Sequence, residues 1–517
     1  MKKIACLFLA TLLMGSGAVM AQGELDALKL SQTDVNGTAR YLGMGGAFGA
    51  LGGDISAMSS NPAGLGIYRS SEMVITFGPN IMNSKSQFNG TDADGKKTNF
   101  SLDNFGYVGY FPTGNTEGLV GWQVGFSYNR LKNFHRQYRM TGRQSTSLAE
   151  YIADISYGIS EGSLEGDRRY NNGDWLSVLG WNAYLFSGIP STNPQEYAAD
   201  FTNPSGSDLQ VRERGGIDQY NFSFATNISN TVFLGATFAV TDMRYRMEST
   251  YDEWFGAKDY LYLDNALSTD GTGYAFNLGA IVRATDYLRL GVAYNSPTWY
   301  NMTDYFYGEA GSYVDGVDEE ELFDHTPNNS YNDYKFRTPD KWIFSVAGII
   351  GQSALVSVDY EFTNYKNTRL KDDYGVDYAD VTYAAKNFFK NTHLIKLGAE
   401  VKVTPQFALR AGGYWRSPNV TDNYRNGYEE VLVAGTIPHY TVDKGTGSFS
   451  VGLGYRFTPN FYADVAYVYR QHSERVYAFP NVYAEFDDDT YRQTIHSDGA
   501  NMKTRTNKIA FTLGYKF

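Results

Sequence analysis

Period-two alternation recurs along most of this chain, and it leaves few folds open. At the C-terminus Ile509, Phe511, Leu513, Tyr515 and Phe517 alternate with Lys508, Ala510, Thr512, Gly514 and Lys516. One face of that segment is therefore hydrocarbon and aromatic, the other small or charged. Phe449, Val451, Leu453, Tyr455 and Phe457 alternate in the same way with Ser448, Ser450, Gly452, Gly454 and Arg456, and Ile395 to Val403 repeats the pattern. One such strand fits the half-buried sheet of a soluble sandwich. Fourteen of them, read at 72–82, 99–112, 118–132, 217–228, 231–247, 272–284, 286–297, 336–350, 353–365, 391–403, 406–416, 446–457, 460–471 and 504–517, fit something else.

Alternate connections between these strands are tight: 112–118, Ser229-Asn230, Thr285-Asp286, Gly351-Gln352, Thr404-Pro405-Gln406 and Thr458-Pro459-Asn460. The rest read as long loops, the largest spanning 133–216. Short turns on one side, long loops on the other and an even strand number describe a transmembrane barrel with its short turns in the periplasm. The predicted fold is all-β: a transmembrane antiparallel β-barrel of about 14 strands, whose closure pairs every edge and satisfies every backbone group in lipid. Composition agrees. A mean hydropathy of −0.39, with 42 Tyr and 32 Phe, suits strands that are apolar on one face only. No run of about 18 apolar residues follows the N-terminal leader, so no membrane-spanning helix is expected.

That leader, residues 1–21, has Lys2 and Lys3 ahead of an apolar core and ends in Val19-Met20-Ala21, the form of a cleaved signal peptide. The predicted destination is the bacterial outer membrane. Cys6, the one cysteine, lies within the leader, so the mature chain offers no disulfide, thiol nucleophile or thiolate metal site. Phe517, preceded by apolar residues at every second position, resembles the C-terminal strand signal that the barrel assembly machinery reads.

Between leader and first strand lie residues 22–70, and within them Arg40 to Gly66 is rich in glycine, apolar and without a regular period. Such a segment suits an irregular body packed inside something larger. The run Gly43-Met44-Gly45-Gly46-Ala47, then Asp54, then Asn61-Pro62-Ala63-Gly64-Leu65, ahead of about fourteen strands, resembles the FadL/TodX family of outer-membrane transporters for hydrophobic compounds. The resemblance implies an N-terminal hatch (22–70) plugging a barrel (71–517). It further implies ligand capture at extracellular loops, an apolar pocket in the lumen, hatch rearrangement, and sideways release into the membrane beside a kinked strand. Hydrophobic molecules such as long-chain fatty acids are the implied ligands, and the chain is expected to act as a monomer among outer-membrane lipid and lipopolysaccharide.

Residue by residue, Gly43, Gly45, Gly46, Asp54, Asn61, Pro62 and Ala63 are the hatch and gating candidates. Asp54 reads as the cap of one or two helical turns that Asn61-Pro62 ends. Gly121 and Gly125, on the inward face of the third strand, are lateral-gate candidates, for a glycine in a strand marks either a bend or a close backbone approach. Two helical patterns, 147–159 and 175–186, lie in the largest loop. The second carries Trp175, Leu176, Leu179, Trp181, Leu185 and Phe186, candidates for a ligand-capture surface.

Inward charges of both signs, among them Arg289, Asp359, Glu361, Lys396, Glu400, Arg410 and Asp464, read mainly as ion pairs, since buried charge must be paired or hydrated. The net charge of −12 argues against a nucleic-acid partner. Acidic loop runs at 315–321 and 487–489 read as solvated, with a divalent-cation bridge to lipopolysaccharide as the alternative. No metal site and no cofactor is expected, and no catalytic arrangement of serine, histidine and carboxylate is discernible, so the chain is not read as an enzyme. Two alternatives stay open: a general porin, and a hemin-binding receptor drawing on His135, His325, His393, His439, His472 and His496.

Overall fold

The computed structural model describes residues 23–166, 169–172, 174–316, 320–351, 353–433, 435–485 and 492–517. The signal peptide read at 1–21 and the acidic run at 487–489 lie outside them. Fourteen strands form one closed antiparallel barrel: β1 (Glu72–Phe88), β2 (Thr91–Pro112), β3 (Leu119–Asn133, continued by Arg136–Gly142), β4 (Gly206–Ile228), β5 (Val232–Phe255), β6 (Asp259–Arg283) and β7 (Leu288–Asn295, continued by Trp299–Tyr313). The second half comprises β8 (Ser330–Arg337, continued by Lys341–Ile350), β9 (Ala354–Asn364, continued by Arg369–Asp372), β10 (Asn391–Lys402), β11 (Phe407–Arg416), β12 (Tyr440–Arg456), β13 (Phe461–Tyr477) and β14 (Gly499–Lys516). Each strand pairs with the next, and β14 pairs with β1 from Lys516 opposite Glu72 to Asn501 opposite Gln87, which closes the wall.

Every expected strand is present, but several run well past the expected ends. The segments 82–99 and 247–272, read as long loops, are instead hairpin arms. β1 and β2 join at Asn89-Gly90, both with positive φ (42° and 87°), and residues 256–258 join β5 to β6. The physical reason lies in the alternation. Beyond the membrane Asn83, Lys85 and Gln87 face outward while Ser84 and Ser86 face inward, so the hydrophobic period vanishes although the backbone ladder continues. Between β3 and β4 the connection likewise shrinks, because 136–142 and 206–216 are themselves paired strand.

Leu234, Phe238, Leu278, Phe344, Leu397 and Leu453 are exposed on the outer surface, as a lipid-facing band requires. The inner surface is covered by the N-terminal segment. It comprises helix α1 (Glu24–Ser31), the short turns α2 (Ala39–Gly43) and α3 (Ala57–Ser60), and a 3₁₀ stretch, Pro62–Ile67. Residues 36–68 form a plug in the half of the barrel that carries the short turns, while α1 stands in the half that carries the long loops. Above the membrane α4 (Leu148–Ile155) and α5 (Trp175–Asn182) pack into a core with the tall ends of β4, β5 and β6.

Candidate functional site

The plug is tied to the wall on all sides. Arg40 holds Glu400 of β10 through Nε and Nη2 (2.9 and 3.1 Å), Arg410 of β11 donates to the same carboxylate at 2.6 Å, and Arg410 reaches Asp464 of β13 at 2.6 Å. On β9, Asp359 accepts the backbone N–H groups of Phe48 (3.0 Å) and Gly49 (2.9 Å). Arg289 of β7 donates to the Leu51 carbonyl, Thr512 of β14 accepts from Ala39 N, and Lys508 of β14 bridges Asn36 and Asp103 of β2. Of the inward charges read from the sequence, Glu361 pairs with Lys396 (3.0 Å).

Asp54 does not cap a helix directly. Its carboxylate accepts Thr38 Oγ1 (2.7 Å) and Ser56 N (3.0 Å), joining the two halves of the plug, while Ser56 holds the cap position of the single turn α3. That turn ends at Asn61, which is extended, and Pro62 opens the 3₁₀ stretch. The Asn61 amide donates to Gly49 O at 2.6 Å and lies 3.3 and 3.4 Å from the carbonyls of Ala280 on β6 and Val292 on β7, while its Oδ1 accepts from Ala63 N. Asn61, Pro62 and Ala63 thus pin the plug to two adjacent strands.

Wall glycines make this approach possible. A methyl group added at Gly279 of β6 would stand 1.9 Å from Asn61 Oδ1, and one at Gly235 of β5 2.3 Å from the Pro62 carbonyl carbon. Gly291 of β7 meets Gly49 O, and Gly412 of β11 meets Met44 and Gly45. Sequence reading assigned none of these four a contact with the plug. Their signal was present: inward-facing glycine on neighbouring strands at the same height as a glycine-rich segment. Among the gating candidates, Gly45 and Gly46 take positive φ (62° and 77°), and Gly43 lies against Gly452 of β12.

Toward β2 Gly121 and Gly125 sit in an unbroken ladder, whereas toward β4 the register of β3 shifts at Val120, beside Gly121, and again at Leu131. β3 pairs with β2 at every position from Gly121 to Asn129. A methyl group at Gly125 would fall 2.2 Å from Met58 Cε, so this glycine seats the plug. Leu176, Leu179, Leu185 and Phe186 are buried in the extracellular core, the Trp175 ring packs on Tyr170 and Phe306 (5.0 and 5.1 Å), and Trp181 donates to Glu165. These six side chains come together, as a packed interior.

Between α1 and the plug lie two adjoining cavities of about 110 and 130 Å³ that share Thr33, Asp34, Val35, Leu394 and Arg416 in their walls. The resemblance implied an apolar pocket; these walls are amphipathic. In the first, Leu25, Leu28, Met82 and Leu394 stand beside an ion network. Glu213 holds Lys29 and Arg136, each at 2.6 Å, Arg470 pairs with Asp34, and His472 lies 3.6 Å from Asp443. Lys132 donates to the Lys29 carbonyl at 2.9 Å and forms no ion pair among the described residues.

Helix α1 closes the cavities from above. Leu25 and Leu28 join a cluster with Phe389, Val420, Tyr424 and Tyr440 of the surface loops and strand ends. Glu24, almost fully buried, accepts from the Tyr424 hydroxyl (3.0 Å) and Leu432 N (2.9 Å). Burial pushes this carboxyl up to about 7, against the pull of those two donors. Docked α1 thus favours the neutral acid. Docking is strongest below pH 4.5, weakens as pH rises, and above pH 7 is lower by about 3 kcal/mol. The protection factors of residues 24–31, hydrogen-exchange rates corrected for base catalysis of the free amides, are expected to fall between pH 5 and 8, and Glu24→Gln to flatten that dependence. An unchanged pH profile in the variant would locate the effect elsewhere.

These features define a class: an outer-membrane barrel of fourteen strands closed by its own N-terminal segment. Residues 255–517 match the family described as Outer membrane protein transport protein (OMPP1/FadL/TodX), and the chain belongs to that family. The match covers β6 to β14, whereas the resemblance read from sequence rested on the plug motifs ahead of a barrel of about fourteen strands. Among solved structures, a Pseudomonas aeruginosa FadL homologue is 13% identical with a TM-score of 0.53, over 94% of this chain and 99% of that one. The Pseudomonas putida toluene transporter TodX is 12% identical with a TM-score of 0.51 over the same shares. Both share the fold. No curated protein matches the chain.

Proposed function

We propose that the protein takes up hydrophobic small molecules, long-chain fatty acids among them, through the lumen, with rearrangement of the plug and release sideways into the membrane. One observation carries this reading: the cavity between α1 and the plug sets Leu25, Leu28, Met82 and Leu394 beside the amino group of Lys132. Hydrocarbon gains about 0.8 kcal/mol per buried methylene there and keeps it on release into lipid, whereas release into water forfeits it. Residues 22–70 act as the hatch in this scheme, and the bonds of Arg40, Asn61 and Asp359 are those that rearrange. Capture on Trp175, Leu176, Leu179, Trp181, Leu185 and Phe186 requires the loop core to open. Phe517 fits a substrate of the barrel assembly machinery, and lipopolysaccharide fits the loop surface.

Native mass spectrometry of gently extracted protein tests the reading. Co-purified fatty acid supports it, whereas repeated recovery of empty, ion-conducting barrels favours a porin; a hemin titration with an absorbance shift favours the receptor. Lys132→Gln is expected to weaken dodecanoate binding about tenfold, the size of one charge-assisted contact, and to leave dodecanol binding unchanged. Equal losses for both would remove Lys132 from head-group recognition.

A further inference from the structure

The wall is weakest at a seam that sequence reading passed over. On β7 the ladder to β6 stops at Asn295 opposite Asn277 and resumes at Trp299 opposite Tyr274, three residues facing two. Between β7 and β8 it stops at Asn295 opposite Lys341 and resumes at Trp299 opposite Arg337, which sets Pro297 directly across from Pro339. Proline has no N–H to give a ladder and is confined to edges and bulges of sheets. Side-chain and single backbone bonds bridge the gap: Thr298 N donates to Thr338 Oγ1 (2.8 Å) and Thr338 N to the Thr298 carbonyl (3.1 Å), while on the β6 side Phe276 N donates to Ser296 Oγ (2.9 Å) and Ser296 N to the Phe276 carbonyl (3.0 Å). β9 breaks at the same level, turning through Tyr365–Asn367.

Directly behind this seam lies the larger of the two lumen cavities, walled there by Asn295, Ser296, Thr298, Thr338, Pro339 and Lys341. A second observation points to a ligand. Ser60, Gln219 and Asn295, all in that wall, each carry a buried side-chain oxygen with no hydrogen-bond partner among the described residues. On the lipid side Tyr294, Trp299 and Trp342 rim the seam, the Tyr294 and Trp342 rings 4.9 Å apart. Outward residues change character at this height, from Leu290, Val292 and Phe344 below to Asn301, Lys335 and Arg337 above. The seam therefore lies where the apolar band meets the outer-leaflet head groups.

We infer that the β7–β8 seam is a lateral passage between the lumen and the outer leaflet, and that it serves small amphiphiles. The hydrogen-bonding end of such a molecule meets Asn295, Thr298, Thr338 and Lys341, and its hydrocarbon leaves past Tyr294 and Trp342 into lipid. Separating β7 from β8 at this level breaks the two Thr298–Thr338 bonds, whereas separating β3 from β2 breaks a continuous ladder and uncovers the Met58 seat of the plug. The inference rests on the transport reading above and moves the exit away from Gly121 and Gly125.

The full-length barrel with Thr298→Cys and Thr338→Cys tests it. Residues directly opposed in antiparallel strands are within disulfide reach. A control lock joins Gly109→Cys and Val124→Cys across the β2–β3 seam, where those positions are paired. The readout is transfer of a fluorescent dodecanoic acid analogue into the membrane of proteoliposomes. Oxidation of the 298/338 pair is expected to slow transfer at least tenfold relative to the same variant in its reduced form, whereas the control lock changes less than twofold between its oxidised and reduced forms. Unchanged transfer through the oxidised 298/338 pair overturns the passage, and loss confined to the 109/124 lock overturns it in favour of β3. Wild-type protein that transfers none of the analogue overturns the transport reading, and the passage with it.

Discussion

Replacing Glu400 with glutamine is expected to unseat the plug and raise the ion conductance of the reconstituted barrel. Glu400 is the shared anion of Arg40 on the plug and Arg410 on the wall, buried with its side chain 4% exposed. Glutamine keeps the shape but turns N–H donors toward two guanidinium groups. Removing one partner of a buried pair costs about 3–5 kcal/mol, because the remaining charge stays desolvated. Arg410 keeps Asp464 and Arg40 is a quarter exposed, which favours the lower end of that range. Even ~3 kcal/mol changes the docking equilibrium more than a hundredfold. Planar-bilayer conductance, together with faster hydrogen exchange over residues 39–53, checks the effect. A second change, Arg40→Met, removes the unpaired cation and is expected to recover part of the seal. Wild-type conductance and exchange in Glu400→Gln would mean that other bonds hold the plug.

Gly279→Val is expected to have a comparable effect by steric means. The new Cβ would stand 1.9 Å from Asn61 Oδ1 and 3.0 Å from Pro62 Cδ. Neither side yields easily, for Asn61 is bonded to Gly49 O and Ala63 N and Gly279 lies in the paired interior of β6. Overpacking costs about 1–3 kcal/mol, and displacing Asn61 adds the price of its buried hydrogen bonds. Conductance is expected to rise, with exchange accelerated first around residues 57–66. Gly348→Val, where an added methyl group meets nothing within 4 Å, serves as the control and is expected to behave as wild type. Equal behaviour of the two variants would remove wall glycine as the determinant of plug seating.

Much of the wall was legible because a lipid-facing strand must be apolar at every second residue, and that period survives in the sequence of all fourteen strands. The arms above the membrane were not legible for the same reason. Ser84 and Ser86 face one way and Lys85 and Gln87 the other, and no apolar face distinguishes a strand there from a loop. The plug was legible as a body from its glycines and from Asn61-Pro62-Ala63. Its seats, Gly235, Gly279, Gly291 and Gly412, were not, since each meets a partner more than 160 residues away.

The glycines of β3 were read as gate candidates, with packing against the plug as the equal alternative, because glycine marks both bends and close approaches and sequence does not separate the two. Met58 occupies the space beside Gly125, the register of β3 shifts beside Gly121, and a further interruption lies at Pro297 and Pro339, residues too far apart in the chain to be seen as a pair. The polar lining of the lumen was foreseen only in part. Glu361, Lys396, Glu400, Arg410 and Asp464 were read as paired charges, but the meeting of Lys29, Asp34 and Lys132 with Leu25, Leu28 and Met82 in one amphipathic cavity was not.

By itself the sequence determined the wall: strand number, the direction of each face, the turns of the short side and the presence of an apolar, glycine-rich segment to be enclosed. These follow from local rules, the two-residue pleat and the need of lipid for satisfied backbone. Tertiary structure decided where the wall is strong and where it is weak. Plug seats, ion pairs across the lumen and the opposition of two prolines all depend on the register in which distant strands meet, and register is a property of the closed barrel.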